Sequence, residues 1–371
     1  MTREQEVLLY LVRLGIGGDV EPDFVLDGVD WQELVDLSYR QGVAAIAVDG
    51  LQKVYESNPS LELALDSPEL EAVKYEWFGA VFSEEENYSK ISAVAKQISE
   101  RLNAAGLRAL LVKGLSYAAY YPEPKHRSFG DIDIFSPYSY AEIDDILRPM
   151  SQNFDVEYYR HSHCSLLGVT VENHKHLCDV RGQKRWLPLE RELSRYADDV
   201  LGTKMQGGLY VPDNRLSVLF FLYHAQGHLL YESLSARFLA DWAVILSREK
   251  SLVSSTWFSE NVHRFGFLKI TSVLTSLCVE YLGVDKVGLP PYLISLLDSR
   301  DVELEGRVLS DMFRKDKEGF GDSSFCSRVE GALLIFKRGW KSREFLGVGP
   351  MRFVFEKWVG IVRERLAKVE K

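Results

Sequence analysis

Two short strand-like segments follow a long helical region and precede another, and they restrict the fold class more than any other feature. Residues 107–112 form an apolar run bounded by Gly106 and Gly114, which is typical of a short buried strand. Residues 131–135 alternate polar and apolar side chains, which predicts a strand with one polar face. A chain with this pattern is expected to fold as an α+β protein with a small sheet.

Further strands are predicted after this pair. Residues 156–167 and 169–174 both have strand-like patterns, and Gly168 between them predicts a hairpin. A helix is predicted at 139–150, between the second strand and the hairpin. Residues 106–210 are therefore predicted to form a small α/β core with a mixed sheet.

Helical patterns fill the chain on both sides of this core. In residues 1–105 apolar side chains recur at steps of three and four, most persistently from Leu70 to Ala105, which indicates one long helix or two joined helices. Asp30 and Asp213 are suited to cap the N-termini of helices, and Asp213 opens a C-terminal helical region at 211–371. Within that region, helices are predicted at 235–248, 266–282, 302–317, 324–340 and 350–368.

Composition favours a folded cytoplasmic protein. Hydrophobic residues make up 46% and charged residues 26% of the 371 residues, as in globular proteins. No apolar run reaches the roughly 18 residues that a membrane span needs, and the N-terminus lacks the layout of a secretory signal. The four cysteines form no CxxC pair, so we expect reduced thiols. The net charge of −10 disfavours broad binding to nucleic acid.

The C-terminal segment differs in charge from the rest of the chain. Residues 336–371 contain ten Lys or Arg and four Glu, a local charge of +6, with aromatic side chains interspersed. Such a segment could contact a phosphate-rich partner or a membrane surface. The favoured interpretation is a terminal helix whose aromatic side chains lie in the core and whose charges lie in water.

The residues that indicate chemistry lie around the first two predicted strands. Asp131 and Asp133 are two apart on one strand, so their carboxylates point the same way and repel each other unless a cation lies between them. Oxygen ligands of this kind suit Mg²⁺. Gly114 lies where a strand turns into a helix, and Lys113 and Arg127 add positive charge suited to phosphate. Replacing either carboxylate by Asn is expected to remove the cation and leave the fold intact.

This arrangement resembles the DNA polymerase beta-like nucleotidyltransferase superfamily. The narrower resemblance, over about residues 30 to 245, is to the bacterial family of uncharacterised nucleotidyltransferases. In the superfamily the glycine is followed directly by Gly or Ser, whereas here Leu115 separates Gly114 from Ser116. The narrower resemblance is carried by Leu111-Val112-Lys113-Gly114, Tyr121-Pro122, Arg127 and Asp131-Ile132-Asp133-Ile134.

The resemblance implies an enzyme that moves a nucleoside monophosphate from an NTP to a hydroxyl of a small molecule or protein, with a nucleic acid as a less favoured acceptor. It also implies a third carboxylate, for which Glu172 is favoured over Asp179; Glu172 shares a strand face with His174. Asp131, Asp133 and Glu172 would then hold Mg²⁺ or Mn²⁺ and act in catalysis. The residues expected to bind the nucleotide are Lys113, Gly114, Ser116 and Arg127.

Two alternatives remain open at this point. The chain could be a non-catalytic nucleotide-binding module that keeps the nucleotidyltransferase fold, which the irregular glycine turn supports. It could instead be a zinc hydrolase, because three pairs of histidines have spacings that can bind zinc, although hydrogen-bonded core imidazoles are more usual. These pairs are His161 and His163, His174 and His176, and His224 and His228.

One charged pair in the C-terminal region also has two interpretations. Arg237 and Asp241 lie four residues apart on a predicted helix, where the simplest expectation is an ion pair along the helix. They could instead line the cleft between the small core and the helical region, where an acceptor would lie.

Overall fold

The computed structural model describes residues 1–21, 24, 26–57, 68–156, 159–180, 183–204, 206–314 and 336–369. Over these ranges the chain forms one six-stranded mixed sheet flanked by helices, so the predicted α+β class is confirmed. The strands are β1 Arg108–Val112, β2 Asp131–Phe135, β3 Asn153–Asp155, β4 His161–Leu166, β5 Val169–His174 and β6 Gly208–Tyr210.

Helices surround the sheet on its two faces. As predicted, Asp30 and Asp213 cap helix N-termini by accepting backbone N–H groups at 3.0 Å and 2.9 Å. The predicted 324–340 helix lies largely outside the described residues. The α-helices are α1 Arg3–Gly15, α2 Trp31–Arg40, α3 Ala44–Ser57, α4 Pro68–Ala104, α5 Gly114–Ala118, α6 Tyr140–Met150, α7 Leu187–Gly202, α8 Asn214–Tyr231, α9 Ala236–Arg248, α10 Lys250–Val253, α11 Thr256–Arg264, α12 Leu268–Tyr281, α13 Pro291–Asp298, α14 Val302–Met312, α15 Gly339–Leu346 and α16 Pro350–Val369.

The sheet has the strand order β3-β4-β5-β2-β1-β6. The central strand β2 pairs with β1 in antiparallel and with β5 in parallel orientation, and β4 pairs with β5 as an antiparallel hairpin. The hairpin turn consists of Leu167 and Gly168, both at positive φ, which matches the right-handed twist of the strands. Two predicted boundaries are wrong: the first hairpin strand begins at His161 and not at 156, and the helix predicted at 302–317 ends at Met312.

The two faces of the sheet differ in chemistry. One face is apolar, and its side chains pack against α4 and α6 through residues such as Ile132, Ile134 and Val171. The opposite face joins the main core near Leu110 and Phe135 but is polar along β2, β5 and β4. This polar face is covered in part by helices of the C-terminal region, so a cleft forms between sheet and helices.

The hydrophobic cores cross the segment limits expected at 105 and 210. The main core contains side chains of α1 and α3 together with those of α8, α9 and α12, and the smaller core joins α4 to the sheet. The division into 1–105, 106–210 and 211–371 therefore describes the order of the segments in the sequence, and it remains a proposal as a division into domains.

The C-terminal segment departs in part from its expected packing. Phe345 and Phe353 are buried, as the favoured interpretation requires. Phe355 and Trp358 are 61% and 57% exposed, so the placement of all aromatic side chains in the core is wrong. Within the described residues, no helix has the length and apolar character needed to cross a bilayer. The described cysteines are buried free thiols, and Cys326 lies outside the described residues.

Helices α1 and α3 pack closely because glycines face the partner backbone. A Cβ atom at Gly50 would lie 1.9 Å from the carbonyl oxygen of Leu11, and one at Gly15 would lie 2.0 Å from that of Ile46. Both contacts are with backbone, so relief requires the helices to separate.

We therefore expect Gly50→Ala to lower the free energy of unfolding by about 3 kcal/mol or more, because the extra methyl group overpacks the contact. Gly79→Ala is the matched control, since Gly79 lies in helix α4 with no atom within 4 Å of an added Cβ. That control should gain up to about 1 kcal/mol from helix propensity. Urea unfolding followed by circular dichroism measures both, and equal stability of the two variants would contradict the packing described here.

Candidate active site

Strand pairing brings three carboxylates together on the polar face of the sheet. In the parallel β2–β5 pair, Asp131 lies beside Thr170 and Asp133 lies beside Glu172. One carboxylate oxygen from each of Asp131, Asp133 and Glu172 lies within 4.8 Å of the other two. Glu172 can join the aspartates only if β2 and β5 are neighbours in the sheet. They are, and Glu172 turns toward both aspartates.

Asp133 is the most enclosed of the three, with 1% of its surface exposed. Its Oδ1 accepts hydrogen bonds from Lys113 Nζ at 2.6 Å and from His174 Nε2 at 2.7 Å. Burial alone would raise the pKa of Asp133, but Lys113 and His174 hold it well below its usual range. Its Oδ2 is buried and accepts no hydrogen bond from any described residue. An ionised carboxylate with one unsatisfied buried oxygen is suited to a cation ligand.

The other two carboxylates have contrasting environments. Burial and the nearby charge of Asp133 raise the pKa of Asp131. Burial opposes ionisation of Glu172 too, but a hydrogen bond from His174 and other nearby groups bring its pKa below the ordinary value. The donor set of three clustered oxygens fits a hard divalent cation, which would offset their mutual repulsion.

The turn after β1 is strained and holds the lysine in place. Lys113 adopts φ 58° and ψ −155°, a region that residues other than glycine rarely occupy, and strain of this kind is common at functional sites. Gly114 follows at φ 38°, with the Asp131 carbonyl oxygen 3.4 Å from where a Cβ would lie. The Ser116 hydroxyl donates to the Lys113 carbonyl at 2.7 Å, so it closes the turn.

The guanidinium group of Arg127 forms an ion pair inside the protein. Its Nε and Nη2 donate to the two carboxylate oxygens of Asp241 at 2.7 Å and 2.8 Å, and Tyr121 donates to the same carboxylate at 2.7 Å. The simplest expectation for Asp241, an ion pair with Arg237 along one helix, is therefore wrong, because Asp241 pairs across the fold with Arg127. Nη1 of Arg127 lies 3.4 Å from the Gly114 carbonyl oxygen, so this network also supports the glycine turn.

Arg237 lines the cleft between the small core and the helical region, the second of the two positions considered from the sequence. Its Nη1 donates to the Ser128 carbonyl at 3.1 Å, and its side chain lines a cavity together with Asp131 and Asp241. Burial and the neighbouring Arg127 lower the pKa of Arg237. No carboxylate of the described residues forms an ion pair with the Arg237 guanidinium, because Asp241 pairs with Arg127. The guanidinium is therefore available to an anionic ligand.

Two cavities meet at the carboxylates. The first, which we call the Asp131-side cavity, has a volume of about 440 Å³ and is lined by residues that include Gly114, Asp131 and Arg237. The second, the Glu172-side cavity, has a volume of about 270 Å³ and is lined by residues that include Glu172 and Trp186. Lys113, His224 and His228 line both cavities. The carboxylate cluster thus lies at a junction with space on two sides.

The fallback carboxylate Asp179 lies apart from this cluster. It lines the Glu172-side cavity, where it accepts a hydrogen bond from the Tyr159 hydroxyl, and its backbone N–H donates to Tyr223 at 2.7 Å. Among the described residues, Glu172 supplies the carboxylate that converges with Asp131 and Asp133.

Of the histidine pairs considered in the sequence, His224 and His228 do lie together, with ring centroids 4.5 Å apart, whereas the histidines of β4 and β5 group across the two strands. His161 of β4 lies opposite His174 of β5, with ring centroids 5.2 Å apart. Burial lowers the pKa of His161 to about 4. For His174 burial acts in the same sense, but Asp133 and Glu172 raise its pKa overall. Pairing across strands depends on register, which spacing within one strand does not reveal.

Comparison with known proteins agrees with this geometry. Residues 27–283 match the model of a family described as an uncharacterised nucleotidyltransferase. In comparisons with curated proteins and with solved structures, the chain has no match. The matched region contains the whole sheet and the carboxylate cluster. Because the match covers more than half of the chain, the protein belongs to the uncharacterised nucleotidyltransferase family.

Proposed function

We propose that the protein is a divalent-metal-dependent enzyme that moves a nucleoside monophosphate from an NTP to a hydroxyl of a small molecule or protein. One observation carries this proposal: oxygens of Asp131, Asp133 and Glu172 lie within 4.8 Å of one another beside the unsatisfied Oδ2 of Asp133. Membership of the family supports nucleotidyl transfer as the reaction class.

The cation site is assigned to these three carboxylates. Their hard oxygen ligands and limited number suit Mg²⁺ or Mn²⁺, which keep part of their coordination for water and substrate phosphates. When bound, such a cation would offset phosphate charge and lower the pKa of the acceptor hydroxyl.

The NTP phosphates are assigned to the Asp131-side cavity. Arg237 and Lys113 supply positive charge there, and Gly114 leaves the wall free of a side chain. Ser116 and Arg127 are assigned a positioning role, because their donors are bound to the Lys113 carbonyl and to Asp241. Arg237 therefore takes the phosphate-binding role that the sequence pattern gave to Arg127.

The acceptor is assigned to the Glu172-side cavity. The oxygen of the acceptor hydroxyl attacks the α-phosphorus of the NTP. The bond between that phosphorus and the oxygen that bridges to the β-phosphate breaks, and pyrophosphate leaves. Glu172 is assigned the role of general base, which takes the proton of the acceptor hydroxyl. A volume of about 270 Å³ suits a small molecule or a single side chain better than a folded nucleic acid. The net charge of −10 agrees with that preference.

A non-catalytic nucleotide-binding module is the second candidate. The strained turn at Lys113, with the Ser116 hydroxyl bound inside it, favours this alternative. Three clustered carboxylates favour an enzyme instead, because buried like charges are costly unless a cation binds them.

We expect NTP binding to depend on a divalent cation. Without a cation, the carboxylates of Asp131, Asp133 and Glu172 repel the triphosphate, so excess EDTA should weaken binding by about tenfold or more, which corresponds to about 1.4 kcal/mol. Calorimetric titration with ATP, GTP, CTP and UTP, each with Mg²⁺, with Mn²⁺ and with EDTA, measures this dependence. Equally tight binding in EDTA would exclude the proposed site.

A further inference from the structure

Two imidazoles flank the third carboxylate. His161 Nε2 lies 3.6 Å from Glu172 Oε1, and His174 Nε2 lies 3.3 Å from Glu172 Oε2. One potential ligand atom from each of the three side chains lies within 4.8 Å of the other two. The three residues come from adjacent antiparallel strands β4 and β5, so their spacing is fixed by the sheet.

This group shares Glu172 with the carboxylate cluster, but its other two members are imidazoles. Glu172 belongs to both sets, and His174 Nε2 also lies 2.7 Å from Asp133 Oδ1. Each oxygen of Glu172 therefore faces a different imidazole, while the carboxylate as a whole remains near the two aspartates. A carboxylate in this position can bridge two cations.

The two ligand sets open onto different spaces. His161, Glu172 and His174 line the Glu172-side cavity, whereas Asp131 and Asp133 line the Asp131-side cavity. A cation among the imidazoles would therefore face the space assigned to the acceptor. A cation between the aspartates would face the space assigned to the NTP phosphates.

We infer that His161, Glu172 and His174 form a second cation subsite, on the acceptor side, that prefers a divalent first-row transition ion to Mg²⁺. A cation bound to His174 Nε2 replaces the proton that this nitrogen donates to Asp133, and that proton is released to solvent. Imidazole nitrogen is a good ligand for such ions, whereas Mg²⁺ prefers oxygen. The inference rests on the proposed function for the role of the subsite, but the subsite itself can be detected without any nucleotide or acceptor.

Mn²⁺ is the probe, and the whole protein without nucleotide is the sample. Pulsed electron paramagnetic resonance of bound Mn²⁺ should show nitrogen coupling from directly bound imidazole. His161→Gln should reduce that coupling and weaken Mn²⁺ binding by about tenfold or more, while Mg²⁺ affinity changes less than about twofold. The matched control is His263→Gln, an exposed histidine on α11 that lies outside the cluster, which should change neither quantity.

Circular dichroism melting curves identify any variant that fails to fold, and a competition of Mn²⁺ against Mg²⁺ on wild-type protein gives a second measurement that needs no variant. Bound Mn²⁺ without nitrogen coupling, or with coupling unchanged in folded His161→Gln, overturns the subsite even where Mg²⁺ still supports nucleotide transfer. Nitrogen coupling without transfer from any NTP would retain the subsite and reject the proposed function. The two failures are therefore distinguishable.

Discussion

Replacing Asp131 with Asn is expected to lower nucleotide transfer by about 10²–10³-fold, the scale on which loss of one charge-stabilising group acts in an active site. The amide keeps the shape of the side chain on β2 but binds a hard cation poorly. Stability should stay the same or rise in the metal-free protein, because burial and the charge of Asp133 disfavour ionised Asp131. Transfer is measured with labelled NTP, and stability by thermal unfolding.

Asp133→Asn should lower transfer to the same extent but with a different effect on stability. The sequence alone predicts that either replacement leaves the fold intact. The structure restricts that expectation to Asp131, because Asp133 is buried between Lys113 and His174. Removing its charge leaves Lys113 without a carboxylate partner among the described residues, and leaves His174 with Glu172 at 3.3 Å. A buried ion pair that loses one partner costs about 3–5 kcal/mol. Asp131→Asn is therefore the cleaner test of catalysis.

Asp145→Asn on α6 provides the matched control for both substitutions. Its side chain is exposed and lies outside the carboxylate cluster, so transfer and stability should remain at wild-type values. Transfer at the wild-type rate by folded Asp131→Asn would contradict the assignment of Asp131 as a cation ligand.

Glu172→Gln is expected to slow transfer by about 10²–10⁴-fold, the contribution of a positioned general base. Nucleotide binding should remain largely intact, because the NTP is assigned to the Asp131-side cavity and Glu172 lines the other one. The expected signature is thus a fall in kcat with little change in KM for the NTP. Steady-state kinetics with saturating Mg²⁺ measures both constants.

Asp179→Asn separates the two carboxylates considered for the third position. Asp179 lines the same cavity as Glu172 but lies outside the cluster, so its replacement should affect acceptor affinity more than kcat. A larger loss of kcat in Asp179→Asn than in Glu172→Gln would reverse the assignment.

Much of the fold could be predicted from local pattern. The strand at 131–135, the hairpin turn at Gly168 and the capping of helices by Asp30 and Asp213 all depend on neighbours within a few residues. The short strands β3 and β6 were not predicted, because three residues at the edge of a sheet leave too little pattern. The predicted start of β4 is wrong for another reason: residues 156–160 include Val and Tyr, which are residue types common in strands.

The site divides in the same way. Asp131 and Asp133 point to the same face because they are two residues apart on one strand. Glu172 and His174 are also two residues apart, and the face predicted for Glu172 from this spacing is correct. The contacts of Arg127 with Asp241 and of Glu172 with His161 could not be predicted, because they join distant segments through tertiary packing and strand register. The backbone of Lys113 is a further example, since a strained conformation is set by its surroundings and not by residue type.

The central claim is that the carboxylate cluster transfers the α-phosphoryl group of an NTP together with its nucleoside. The most direct measurement incubates the wild-type protein with Mg²⁺, a cell extract and each NTP, labelled either at the α- or at the γ-phosphorus. We predict that label from the α position, and not from the γ position, appears in a product, with release of pyrophosphate and loss of the product in Asp131→Asn. Transfer of γ-label, or α-label that appears equally with Asp131→Asn, would contradict the claim.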